Sequence, residues 1–442
     1  MFFKSRNMIL FPLIFLLLFL TACDMLEQEV INEEWVINIH RTDNFGGTKV
    51  DVLYDIIETA DDNFVAVGQS ISDDGDVPDN NGQYDVWVIK TSKTGTILWS
   101  FNYGGSDYDI GKTIIQTTDG GYVVAGYTKS TDEDVNSNHG DYDLWIFKLD
   151  ANGALKWENA FGGTDTELLP DLCKTNDGGF IVVGRTKSTD GDVTGFQGIE
   201  DGWIVKVNGI GEFVWQKTLG GTQTDRVRSV CSTHDNGFLV VGSSKSSDGD
   251  VSDNNGQSDV WLCKLDNLGN ILWDKNYGGS NNDYAFSVAR TTDNGFIVAG
   301  RTDSTDQDVS GNHGYSDGWV LKVDINGDLD WAKCYGGTLD DEINSVIQIS
   351  TGEYAFLGST KSADGDVPGN KGDRDFLFML LDEDGNIEWS KNYGGSATDI
   401  GSALVETSDG NYVLCGNTYS NDGDVLGNNG NNDGWVLQLR RQ

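Results

Sequence analysis

Ser246-Ser247-Asp248-Gly249-Asp250-Val251, followed by Gly256, Asp259 and Trp261, is the stretch whose reading decides the fold. It returns every 58 residues. Its second acid falls at Asp76, Asp134, Asp192, Asp250, Asp308, Asp366 and Asp424, with no insertion or deletion between copies. Written S-x-D-x-D-V-x4-G-x2-D, every named position is identical in all seven copies. A fixed period repeated this often marks a repeat architecture, and one unit then gives the layout of all.

In the copy around Asp250, a strand is predicted from Asp225 to Thr233, and His234-Asp235-Asn236-Gly237 forms a tight turn. Asn-Gly favours the positive φ angles of a short hairpin. Phe238 to Val241 is the second strand, the Asp-rich loop follows, and Val260 to Leu265 is the third. Gly269 marks the next turn, Ile271-Leu272-Trp273 the fourth strand, and Gly278-Gly279 leads into the next copy. Four short antiparallel strands per unit, seven times over, predict an all-β, seven-bladed β-propeller.

The chain ends support ring closure. A tryptophan recurs on the fourth strand at Trp99, Trp157, Trp215, Trp273, Trp331 and Trp389, and the seventh copy stops after its third strand, Trp435 to Leu439. Trp35-Val36-Ile37-Asn38-Ile39 matches Trp99 to Tyr103, leaving His40 to Phe45 as extra residues before Gly46-Gly47. Pairing Trp35 to Ile39 beside Trp435 to Leu439 would complete the last blade. The propeller is thus expected over residues 34–442, as one domain.

The run from third strand through Gly turn to fourth-strand Trp, as in Lys148-Leu149-Asp150-Ala151-Asn152-Gly153-Ala154-Leu155-Lys156-Trp157, resembles the tryptophan-docking repeats of quinoprotein-like propellers. The resemblance covers about ten residues of each unit and implies a fold, with each Trp wedged between blades, more than an activity. The whole 58-residue unit is also similar to repeats of secreted and lipid-anchored bacterial proteins.

Ahead of the repeats, Lys4 and Arg6 precede an apolar run from Met8 to Leu20, which is short for a membrane span. Leu20-Thr21-Ala22-Cys23 resembles the lipobox of bacterial lipoproteins. The resemblance implies that residues 1–22 are a signal peptide and that Cys23 is lipidated. Residues 23–33 would then link a propeller to the bacterial cell envelope, on the outer membrane or cell surface, held by acyl chains rather than by a helix. The other five cysteines show no C-x-x-C spacing and read as small buried hydrophobes.

A formal net charge of −40 excludes nucleic acid as a partner, since phosphate binding needs clustered Lys and Arg. Much of that charge belongs on one face. In a propeller, the loops between second and third strands and the links between blades share a face. The links carry Asp51, Asp109, Glu167, Asp225, Asp283, Asp341 and Asp399.

Each Asp-rich loop has two readings. One is a Ca2+ site: Asp74, Asp76 and Asp85 in the first copy, Asp132, Asp134 and Asp143 in the second, Asp248, Asp250 and Asp259 in the fourth, and Asp306, Asp308 and Asp317 in the fifth. These are hard oxygen ligands of the kind calcium takes. The other is structural: Ser and Asp side chains bond to backbone N–H groups and fix a long loop in one shape.

Asymmetric ligands are read where the copies disagree. At the start of the first strand stand Tyr54, Lys112, Pro170, Arg228, Phe286, Asn344 and Ser402, and two residues earlier Arg226 and Tyr284 break an otherwise mostly apolar column. Arg226, Arg228, Tyr284 and Phe286, on adjacent blades, suit a sugar ring or an anionic ligand. The alternative is ordinary drift at exposed positions. Catalysis has little support, because the sequence holds four His and shows no nucleophile motif or phosphate loop. The expectation is a monomeric exported binding or scaffold propeller, with a glycan or an envelope protein as ligand. A carbohydrate-active or quinoprotein-like enzyme and a purely structural envelope protein are the alternatives.

Overall fold

The computed structural model describes residues 36–442, and Ile37–Gln442 form one compact unit. The signal segment, Cys23 and Trp35 lie outside the described residues. Among those described, every regular element is a strand, and no helix is long and apolar enough to cross a membrane.

The strands form seven four-stranded antiparallel sheets, each built from consecutive strands except the last. In the fourth blade these are Asp225–Ser232, Phe238–Ser244, Asp259–Leu265 and Ile271–Tyr277. The hairpin after the first strand turns at Asn236, whose φ of 67° explains the Asn-Gly signal. The third strand is buried along its whole length. Both of its faces meet neighbouring sheets, so it reads as a hydrophobic run rather than an alternation.

The one basic residue in that strand, Lys264, runs to the blade edge, where its Nζ meets Asp235 at 2.8 Å. Lys90, Lys148, Lys206 and Lys322 each reach the matching hairpin acid in their own blades. The core lies between blades. Ile181, Val183 and Ile204 of one sheet pack on Val230, Val240 and Trp261 of the next.

The fourth-strand tryptophans do wedge between blades. A Cβ added at Gly269 would stand 3.0 Å from the ring of Trp215, and one at Gly327 would stand 2.7 Å from the ring of Trp273. The turn glycine is therefore required by the close approach of the preceding blade's indole, as well as by its positive φ.

Ring closure occurs as expected, but with a different register. Strand Ile37–Phe45 pairs antiparallel with Asp433–Arg441: Asn44 faces Trp435, Thr42 faces Leu437 and Arg41 faces Gln438. The counterpart of Trp99, which faces Lys90, is therefore Arg41 rather than Trp35. His40 to Phe45 are not extra residues but most of the closing strand. The physical reason is that Phe45 and Ile37 carry the apolar contacts, and both are buried. The Arg41 guanidinium takes the indole's place over the turn glycine, Gly95. A bulge between Ile39 and Arg41 absorbs the remaining offset.

Candidate functional site

The repeated Asp-rich loop is held by bonds among its own side chains and the link between blades. Asp225 is fully buried; it accepts from Ser244 Oγ at 2.5 Å, Ser246 Oγ at 2.7 Å and Gly221 N–H at 2.8 Å. Asp248 is exposed and accepts at 2.8 Å from both the N–H and the hydroxyl of Thr222. Those bonds hold its carboxyl below the usual carboxylate range. Asp250 receives Gly220 N–H at 3.4 Å, and Asn254 Nδ2 donates to Ser244 O at 2.8 Å. Asp259 Oδ2 accepts from Asn255 N–H at 2.5 Å. Each repeated polar residue thus ties down part of the loop or the link between blades.

The three acids of one loop are not gathered into one group. Asp74 is tied to Thr48 at the surface. Asp85 instead feels the charges of Asp109 and Asp134, which belong to the next blade, and burial first and those charges second push it up to about 7. The same split separates Asp132 from Asp143 and Asp306 from Asp317. The outer acids bond to Ser106 and Ser280, while the third-strand acids feel Asp192 and Asp341 of the following blades. Among the described residues, no three His, Cys, Asp or Glu side chains stand close enough as placed to hold a metal ion together.

The central channel is built by a repeated irregularity. Six of the seven first strands have a one-residue bulge at the same place, as between Leu53 and Asp55 or between Val227 and Ser229, and the third blade has a two-residue irregularity there, between Leu168 and Asp171. The bulged residue is left unpaired and its side chain is re-aimed. Here that residue is Tyr54, Lys112, Arg228, Phe286, Asn344 or Ser402, and all of these line one cavity of about 320 Å³ on the ring axis. The copies disagree in sequence at the position that faces the channel.

Two of the four residues predicted to bind ligand meet there, and two do not. Arg228 and Phe286 line the cavity, with the guanidinium carbon 5.0 Å from the ring centroid. Arg226 instead pairs with Glu200 at 2.8 Å. Tyr284 lies beside the guanidinium of Arg301 at 5.4 Å and stacks on Phe286 at 6.4 Å.

Lys112 was visible in the variable column, and the structure gives it more weight. Its Nζ lies 3.3 Å from the centroid of the Tyr54 ring, and burial, reinforced by Arg228, pushes its pKa down to about 7. Arg228 Nε is buried without a partner. The next residue along each strand also lines the cavity. Asp55 accepts from Ile114 N–H at 2.9 Å and Asp171 from Val230 N–H at 2.9 Å, each on an adjacent blade. Burial pushes Asp55 up to about 6 and raises Asp171 as well. Sequence alone did not single out these acids, because the column of Asp, Thr, Ser and Ala they occupy looks like ordinary small filler.

The cysteines are placed as packing groups. Cys263, Cys334 and Cys415 are buried, while Cys173 and Cys231 are half-buried, and all five are free thiols.

No family model matches the chain. It is 26% identical over 223 residues to the regulatory protein FlaEY of Caulobacter vibrioides; the match covers 46% of this chain but only 23% of that protein. The chain thus matches less than a quarter of that relative's length. Among solved structures, it resembles the Pan2 WD40 domain of Neurospora crassa, with a TM-score of 0.48, 10% identity and 89% of each chain covered. Sqt1 from Chaetomium thermophilum gives a TM-score of 0.44 at 13% identity, over 86% of this chain and 83% of that one. Puromycin hydrolase gives 0.48 at 12%, over 84% and 51%. The assignment as a propeller rests on the strand order above.

Proposed function

We propose that this chain is an exported, lipid-anchored binding module of a bacterial cell envelope whose central channel holds a small anionic ligand, such as a sugar acid. One observation carries the reading. Lys112 and Arg228 project into the same cavity; Lys112 rests on an aromatic ring rather than on an acid, and Arg228 leaves a buried nitrogen unpartnered. A buried cation without a counter-ion is costly, and a bound carboxylate would repay that cost with charge-assisted bonds. Tyr54 and Phe286 supply flat apolar surface for a ring. The cavity lies at the low end of the usual range of about 300–1,000 Å³ for ligand pockets, which suits one small molecule. The anchor rests on the lipobox-like sequence ending at Cys23.

Calorimetry with glucuronate and with glucose tests this. Saturable binding of the uronate, its loss in Arg228→Ala and no binding of glucose would support it. Equal binding of both sugars, or retained binding in the variant, would refute it.

An enzymatic reading has one observation in its favour. Asp55 and Asp171 share the cavity, and both are raised above the ordinary carboxylate range, as an acid catalyst of glycoside chemistry must be. Their oxygens are engaged with backbone N–H groups of adjacent blades, which favours binding over turnover. Hydrolysis that disappears in Asp55→Asn while uronate binding persists would reverse that preference.

A further inference from the structure

The seven junctions between blades share a feature that the channel does not explain. At each, the third-strand acid of one blade, Asp259 or its counterpart, is fully buried, and its Oδ1 has no hydrogen-bond partner. The partner is missing in all seven copies. A buried carboxylate oxygen left bare once is an oddity, but left bare seven times it is part of the design.

The bare oxygen faces another acid. A Cβ built on Gly278 would stand 2.7 Å from Asp259 Oδ1 and 2.6 Å from Oδ2 of Asp283, the first-strand acid of the next blade. The corresponding point at Gly394 is 2.5 Å from Asp375 Oδ1 and 2.6 Å from Asp399 Oδ2. In six of the seven Gly-Gly pairs the first glycine thus faces two converging carboxylates, and at Gly104 the nearest atoms belong to Asp109 alone. A third acid completes the junction: Asp308, from the loop of the next blade, accepts a long 3.2 Å bond from Gly278 N–H. Asp259 is raised by burial first and then by the charges of Asp283 and Asp308.

We propose that these junctions are calcium sites, each formed by the third-strand acid of one blade with the first-strand acid and the second loop acid of the next. Calcium takes six to eight oxygens at about 2.3–2.6 Å in flexible geometry, so water and backbone carbonyls supply the remainder. As placed, the three carboxylates stand too far apart to share an ion. Asp308, tethered by that one long bond to Gly278 N–H, is the member that has to turn inward for the three to share an ion. The site differs from one drawn within a single loop, because the exposed first loop acid, Asp248, takes no part.

One junction carries its own cation. Four residues before the third-strand acid stand Asn81, His139, Gln197, Asn255, His313, Lys371 and Asn429. Lys371 alone is a lysine, and its Nζ pairs with Asp424, the loop acid of its junction. An ammonium group thus occupies the place where the other junctions have none. The His139 and His313 rings bond Oδ2 of Asp143 and Asp317 at 2.7 Å and leave Oδ1 bare. The junctions with Asn at this position, Asp85 with Asp109 and Asp134, Asp259 with Asp283 and Asp308, and Asp433 with Asp51 and Asp76, are the strongest sites.

The test is calcium stoichiometry by calorimetry and equilibrium dialysis on the purified, chelator-stripped full chain at pH 7.5. Saturable uptake of several ions per chain is expected, with magnesium a poor substitute. Lys371→Asn should gain one ion, Asp259→Asn should lose one, and Asp248→Asn should leave the count unchanged. Absence of saturable uptake, with matched sodium chloride giving the whole stabilisation, would overturn the proposal and leave the bare oxygens to shared protons. A loss in Asp248→Asn with no gain in Lys371→Asn would also overturn it, returning the site to a single loop. If Asp259→Asn fails to fold, Lys371→Asn decides, since it alters a side chain that is 43% exposed.

Discussion

Removing the closing strand, residues 37–45, should cost far more stability than removing residues 24–33. Phe45 and Ile37 are 6% and 3% exposed, and each should lose about 1.5–3 kcal/mol of burial. Trp435 Nε1 donates to Thr42 Oγ1 at 2.7 Å. The deletion exchanges that bond for one to water, at a net cost of about 0.5–1.5 kcal/mol. The deletion also strips the ladder partner from Asp433–Arg441 and exposes a sheet edge. The sum is about 5 kcal/mol or more, a large share of a typical stability of about 5–15 kcal/mol. Urea unfolding followed by tryptophan fluorescence measures it, with deletion of residues 24–33 as the control. A free peptide of residues 36–46, added in trans, should raise the midpoint of the truncated chain. Equal midpoints for the two deletions would refute the shared blade.

Three further outcomes follow from particular contacts. Asp235→Ala removes the partner of buried Lys264; because Asp235 is half exposed, the loss should be about 1–3 kcal/mol in a urea titration, and Asp235→Asn should recover part of it. In chelator, thermal stability should fall as pH rises from about 4 to 7. Asp85 is raised to about 7 and Asp201, Asp259, Asp375 and Asp433 to about 6, so the folded chain holds protons that the unfolded chain has released across that window. Melting curves at stepped pH check the sign. Cys23→Ser should move the protein from the membrane fraction to the soluble one after a high-salt wash, and retention of lipid by the variant would exclude Cys23 as the anchor.

The sequence made the blade count, the strand order and the shared last blade legible, because a 58-residue period without insertions leaves few alternatives. The closing register was misread for a specific reason. Trp35 looked like the missing docking tryptophan, whereas Arg41 stands at that position and covers Gly95. The channel ring was found from disagreement among copies, but its inward aim depends on a bulge that no residue type announces. Arg226 and Tyr284 were grouped with Arg228 and Phe286 by spacing, and the bulge sends only the second pair to the axis. The acids were grouped by loop, since neighbours in sequence are easy to see. In the structure Asp259 and Asp283, from neighbouring blades, converge on Gly278, which leaves room for both.

The measurement closest to the central claim is the pH dependence of glucuronate affinity in the wild-type protein and in Lys112→Arg. Lys112 is held down to about 7 by burial and by Arg228, so its charge should be lost within the accessible range. A bound anion raises that midpoint, so wild-type affinity should fall as pH rises from 7 to 9, while an arginine, charged throughout, should flatten the profile. A channel that binds no uronate at any pH, or binds it equally well at pH 6 and pH 9 without Lys112→Arg making a difference, would contradict the account.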